Sequence, residues 1–301
     1  MNQHLTPDVY YNNFGPYAAA LTIGDGDCVC TATLDSRGRD ASMTTVASSP
    51  NPLNGPIFVQ GAQPGDTLAV EILSIRPNRT YGYSSTAIAA HIVDADAVAT
   101  LPQRELAEWH VDAEAWTATL DNGPAALEGL ALPLSPMLGC LGVAPRGGQA
   151  ISSATSAEHG GNMDYRGLVA GTTVFFPVFE PGGLLFVGDG HAVQGDGEIS
   201  GMGIEISMDV CLRVHIVKGL KTCWPRGMSA TSLFTMGNAR PLDQALQHAT
   251  TELMRWLDES YGLDATAASI LLGQSIGYDI GNVFDPAYTV VARIERSLVE
   301  R

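Results

Sequence analysis

Through the first 235 residues the apolar positions come in short alternating runs rich in Val, Ile and Thr, interrupted every few positions by Gly or Pro. Alternation puts every second side chain on one face, so this pattern predicts many short strands separated by turns. Between positions 56 and 75, the run IFVQG, a turn through Pro64 and Gly65, and the run TLAVEILSI read as two strands. Leu68, Val70 and Ile72 share one face of the second. Further strands are expected at 171–179, 184–187, 199–208 and 210–217. Segment 81–85 reads as a loop, and 114–136, rich in Ala, Leu and Pro, as a lid or connector.

The period changes after Asn238. Leu242, Ala245, Leu246, Ala249, Leu253, Trp256 and Leu257 recur at helical spacing, with Pro241 suited to a first turn and Gly262 to a stop. A second helix is expected from an Asp264 cap through Ala267, Ala268, Ile270, Leu271 and Leu272, and then a last strand at TVVARI. The expected fold is mainly β: a β-sandwich, jelly-roll-like core over 1–237 with added α/β elements. A mixed portion with the C-terminal helices, 238–301, packs on it and is not expected to fold alone.

Charge narrows the partners. With 32 acidic against 16 basic residues, the formal charge of −16 repels phosphate backbones and anionic headgroups, so neither nucleic acid nor a membrane surface is expected. No run of about 18 apolar residues occurs, and the N-terminal sequence has no signal-peptide pattern, so a soluble, unprocessed chain is expected. The cysteines, Cys28, Cys30, Cys140, Cys211 and Cys223, are odd in number and contain no C-x-x-C pair. No disulfide framework is expected, and a reducing cytoplasm fits that usage.

The groups that enzymes use and cores avoid concentrate in GGNMD at 160–164 and GDGHAVQGDGEISGMGIE at 188–205. Asp189 and His191, two apart, leave the same face of an extended strand, where a carboxylate and an imidazole share a cation readily. Gln194, Asp196, Glu198 and Glu205 follow among glycines, and carboxylates so crowded repel one another unless a cation intervenes. The imidazole favours Zn²⁺; Ca²⁺ is the alternative for the oxygen-rich part of the set. The string GQSIG at 273–277 matches a nucleophile elbow, but no histidine lies beyond His248 to serve as its base. Cys140 reads as a small buried residue.

Together with Leu168-x-x-Gly171, Pro177-Val178, NGPIFVQGAQPGDTLAVEIL at 54–73 and PMLGCLGVAP at 136–145, these strings resemble the acetamidase/formamidase family over most of the chain. That resemblance implies a β-sandwich-like core with added α/β elements, a bound divalent metal, and hydrolysis of a short aliphatic amide or lactam to acid and ammonia or amine. The matching positions are Asn162, Asp164, Asp189, His191, Gln194, Asp196, Glu198 and Glu205. Similar proteins often carry histidines where this chain has Tyr10, Tyr11, Asn12 and Asn51.

From these readings Asp189, His191 and Glu205 are expected as metal ligands, and Glu198 or Glu158 as general base. Asn162 is expected as a donor to the developing oxyanion, with Asp164 beside it, and His159 and Gln194 on the substrate. Asp196 is expected to fasten the glycine loop, and His91 is left outside the metal set. The partner is a small amide and the assembly a homo-oligomer, a dimer. The alternative is a non-catalytic β-sandwich that holds a metal or polar ligand.

Overall fold

The computed structural model describes residues 1–300. Nine strands form one sheet, ordered Asn2–Leu5, Cys28–Ala32, Met208–Val217, Thr67–Pro77, Thr173–Pro177, Arg226–Met228, Ser232–Ala239, Tyr288–Glu295 and Gly277–Asn282. A second sheet of six strands runs Ser156–Ala157, Gly160–Asn162, Met137–Gly142, Leu185–His191, Leu53–Val59, Leu21–Ile23. Their apolar faces meet in one core, where Leu68, Val70, Ile72 and Phe176 of the first pack with Ile57, Leu138, Leu141 and Val187 of the second. The fold is therefore the mainly-β sandwich expected from the alternating pattern.

The two strands read between 56 and 75 exist, as Leu53–Val59 and Thr67–Pro77. They do not pair with each other. The Pro64-Gly65 turn carries the chain from the six-stranded sheet to the nine-stranded one, because each strand buries its apolar face from an opposite side of the same core.

Helix α1, Leu242–Tyr261, ends where Gly262 adopts a left-handed conformation, φ 66°. Pro241 is its N-cap residue rather than part of its first turn. Helix α2, Ala265–Ser275, is capped by Asp264, whose side chain accepts from the Ala267 N–H at 2.8 Å. Strand Ser232–Ala239 explains where α1 sits. Phe234 and Met236 face the sandwich core, while Leu233 faces the apolar stripe Ala249, Leu253, Trp256 and Leu257 of α1. A strand buried on both faces joins the C-terminal helices to the sandwich.

Three expectations are corrected. Segment 199–208 is not a strand: Met208 begins one, but the residues before it turn irregularly, with Glu198 at φ 44° and Gly201 at φ 64°. Such left-handed positions interrupt an extended ladder. Segment 81–85 is not a loop, and 114–136 is not a lid or connector throughout but contributes two strands. Tyr81–Ser85, Leu106–Asp112, Thr117–Asp121 and Ala131–Pro133 make a separate four-stranded sheet.

Cys30 and Cys211, opposite one another on neighbouring strands, form a disulfide. The pairing spans 181 residues of sequence, a separation that spacing motifs do not register. It removes the cysteine-count argument for a reducing compartment. Among the described residues, no helix is long and apolar enough to cross a membrane.

Candidate active site

Strand Leu185–His191 lies antiparallel to Met137–Gly142, with Met137 opposite His191 and Cys140 opposite Gly188. Between these pairs Asp189 takes φ 57°, and Asp164 and Glu198 each take φ 44°. Three acidic residues in the left-handed region each cost free energy, and such conformations persist only where the surroundings over-determine them. Gly139 is one reason the carboxylates can meet. A Cβ there would lie 2.5 Å from Asp189 Oδ2 and 2.6 Å from Asp164 Oδ1.

His191 is fully buried, and its two ring nitrogens have different surroundings. Nδ1 is 2.8 Å from Gln194 Oε1, while the Gln194 amide nitrogen donates to the Asp164 carbonyl. Because Gln194 offers its oxygen, the proton belongs on Nδ1 and Nε2 presents a lone pair. That Nε2 stands 3.1 Å from Glu205 Oε1 and 3.5 Å from Asp189 Oδ1, in geometry that makes no hydrogen bond. Isolated β-bridges from Glu205 to Tyr83 and to His191 hold this carboxylate against the Asp189–His191 pair.

Lone pairs converging in a dry interior repel unless a proton or a cation stands among them. Asp164 Oδ1, Asp189 Oδ1, His191 Nε2 and Glu205 Oε2 are all buried without a hydrogen-bond partner. Two sets of donor atoms, Asp189–His191–Glu205 and Asp164–His191–Glu198, each fall within 4.8 Å. Two or three carboxylates with one imidazole are a donor set that suits a divalent ion of the zinc or manganese type.

The electrostatics tell the same story. A proton can stand where a cation would: burial alone would depress His191, but the charges of Glu205 and Asp189 outweigh it and raise the imidazole well above its ordinary value, so Nε2 offers its lone pair only when a cation displaces that proton. Burial, eased in part by His191, lifts Glu205 to about 7. Burial together with the Asp285 and Asp189 charges raises Asp164, and burial with the Asp164 charge raises Glu198. Asn282 Nδ2 donates to both of these last two, to Asp164 Oδ2 at 2.6 Å and to Glu198 Oε2 at 3.0 Å.

A cavity of about 330 Å³ reaches this cluster, with Asp189, Glu198, Glu205, Asp285, Asn51 and Asn162 among its walls. Asn162 donates to Asp285 and accepts from the Cys140 thiol at 2.8 Å. Burial and the neighbouring Asp189 charge raise that thiol, keeping it a donor rather than a nucleophile.

Of the residues expected from the sequence, Asp164, Asp189, His191, Glu198, Glu205 and Asn162 come together here. Gln194 does not line the cavity; it stands behind His191 and orients it. Glu158 is not at the site either. It pairs with Arg146 in a partly exposed position, in the turn between strands Ser156–Ala157 and Gly160–Asn162. His159 is buried against Phe14, with neither ring nitrogen hydrogen-bonded, and burial lowers it to about 3. Asp196 is exposed and faces Arg166 at 3.6 Å, and His91 bonds the Val283 carbonyl at 2.7 Å.

Asn282, Asp285, Asn51 and Gly139 carry roles that sequence reasoning missed. The signal for the first two was the polar tract GNVFDP set between two apolar strands. Asn51 donates to Asn162 Oδ1 at 3.3 Å. Asn12 in turn ties down the Ser48 and Pro50 carbonyls beside it.

A β-sandwich with a cavity walled by Asp189, Glu198, Glu205 and Asp285, close against a buried imidazole, defines a small-molecule site rich in carboxylates. The chain belongs to the acetamidase/formamidase family, whose model matches residues 33–149 and 98–252. It is 30% identical to the acetamidase of Mycolicibacterium smegmatis over 245 residues, 63% of this chain and 59% of that one. It is 28% identical to the formamidase of Methylophilus methylotrophus over 225 residues, 60% of this chain and 54% of that one. The matches thus span somewhat over half the length of these curated relatives. The crystal structure of acetamidase from Yersinia enterocolitica, 31% identical, superimposes with a TM-score of 0.87, covering 100% of this chain and 94% of that one.

Proposed function

We propose that this protein hydrolyses a small aliphatic amide or lactam to a carboxylic acid and ammonia or amine, with a divalent metal, Zn²⁺ in the first instance, held by Asp189, His191 and Glu205. The observation that carries the metal is the convergence of buried, unpartnered acceptor atoms on these residues. When bound there, such an ion polarises a carbonyl and acidifies water, the two difficulties of amide hydrolysis at neutral pH.

The chain's own groups supply the rest. Glu198 lines the cavity, and burial with the Asp164 charge raises its affinity for protons, the direction that suits a carboxylate taking a proton from water and later delivering it to the departing nitrogen. Asp164 shares the Asn282 amide with it, so the two acids stand close enough for the charge of one to favour a proton on the other. The Asn162 amide uses one N–H on Asp285 and has a second to offer the carbonyl oxygen. Gln194 holds the His191 ring so that Nε2 faces inward.

Ammonia release from formamide, acetamide and a γ-lactam, before and after chelation, tests the reading. Turnover of at least one, lost on chelation and restored by Zn²⁺, is expected. A protein that binds metal yet turns over none of them is a binding module.

A further inference from the structure

Four carboxylates line the cavity, and one cation does, Arg37. A guanidinium in such a place would ordinarily be claimed by one of those acids. Among the described residues, however, the Arg37 side chain forms no ion pair and donates no hydrogen bond to protein. All five of its N–H donors are left to solvent or to a ligand.

Its position is nonetheless fixed. Asp35 Oδ1 accepts from the backbone N–H groups of Arg37 at 2.9 Å and Arg39 at 3.0 Å. Asp35 Oδ2 accepts from Arg79 at 2.7 Å in an almost wholly buried pair. Next in the chain, Ser36 Oγ lies 3.0 Å from the hydroxyl of Tyr83, and the Arg37 guanidinium rests over the Tyr83 ring, 5.1 Å from its centroid. That ring is fully buried and sits beside Glu205 through the bridge between their backbones. Arg37 is thus stacked on a rigid base at the wall of the same cavity, its donors uncommitted.

The cavity also has room to spare. Pockets of about 300–1,000 Å³ hold drug-sized ligands, so an amide of four heavy atoms leaves much of a 330 Å³ space unfilled. We propose that Arg37 receives a carboxylate on the substrate, so that the preferred amides are the monoamides of short dicarboxylic acids. This rests on the amidohydrolase reading of the site. The planar fork of the guanidinium matches a carboxylate bidentately and leaves the amide end of a short chain for the acid cluster.

Succinamate and succinamide differ only in carrying a carboxylate or a second amide, and calorimetric titration of the metal-loaded protein with each decides the matter. We expect succinamate to bind about tenfold or more tightly than succinamide. Arg37→Ala should erase that preference, and Arg37→Lys should retain part of it. Equal affinities in the wild-type protein, or a preference that survives Arg37→Ala, would overturn the assignment. Ammonia release is read separately. If neither these amides nor acetamide is hydrolysed while the Arg37-dependent preference stands, the catalytic reading fails and the carboxylate site does not.

Discussion

Gln194 Oε1 accepts from His191 Nδ1 at 2.8 Å, and this one bond decides which imidazole nitrogen faces the acids of the cavity. Three residues apart in sequence, the two lie on opposite sides of the end of strand Leu185–His191, so the strand supplies the ring and the following turn supplies its orientation.

Gln194→Leu removes the acceptor and frees the ring to rotate or change tautomer. Loss of a partner of this kind typically costs about 10–100-fold in metal affinity or activity. Metal affinity measured by competition with a chromophoric chelator should fall within that range, with the thermal transition little changed. Unaltered affinity would show that His191 needs no such support.

Gly139→Ala tests the approach of the carboxylates. The added methyl would press on Asp189 and Asp164 at 2.5 and 2.6 Å, so these side chains must withdraw. Displacing a catalytic group by about 1 Å can cost roughly 100-fold. Amide turnover should drop by that order, and an equally active variant would mean the two acids need not converge.

Glu198→Gln keeps the size of the side chain and removes the capacity to carry a proton, together with one of the two hydrogen bonds that Asn282 and Gly203 donate to separate carboxylate oxygens. We expect kcat to fall about 100- to 10,000-fold with metal content preserved. A loss of metal together with activity would instead move Glu198 into the ligand set.

His159 gives a pH signature in stability. Burial lowers it from 6.5 to about 3, so between those values the unfolded chain binds a proton that the folded chain refuses. This contribution is intact above pH 6.5 and erodes as the pH falls, at about 1.4 kcal/mol per pH unit until it levels off near 3. Urea unfolding at pH 7 and pH 5 should show a shallower decline for His159→Gln than for the wild-type chain. Parallel declines would mean His159 is protonated in the native state.

Much of this was legible in the sequence. Alternation revealed the strands because a sandwich core buries one face of each, and the Asp189-x-His191 pair was readable because both lie on one strand end. Other features depend on tertiary neighbours. Nothing local in Asn282 or Asp285 says that the turn between Gly277–Asn282 and Tyr288–Glu295 delivers them to Asp164 and Asn162. Glu158 and Gln194 adjoin the right motifs, yet one side chain turns outward to Arg146 and the other sits behind the imidazole. Segment 199–208 carries strand-like residues, but the backbone bends there to bring Glu198 and Glu205 to the same cavity.

The central claim is that a divalent cation gathers Asp189, His191 and Glu205. Metal content per chain, measured by plasma mass spectrometry after Zn²⁺ loading and desalting, tests it most directly in the wild-type protein and in Asp189→Asn, His191→Ala and Glu205→Gln. About one ion per chain is expected in the first, and a large loss in each variant that remains folded. A wild-type chain that retains no ion, or variants that retain as much as it does, would contradict it.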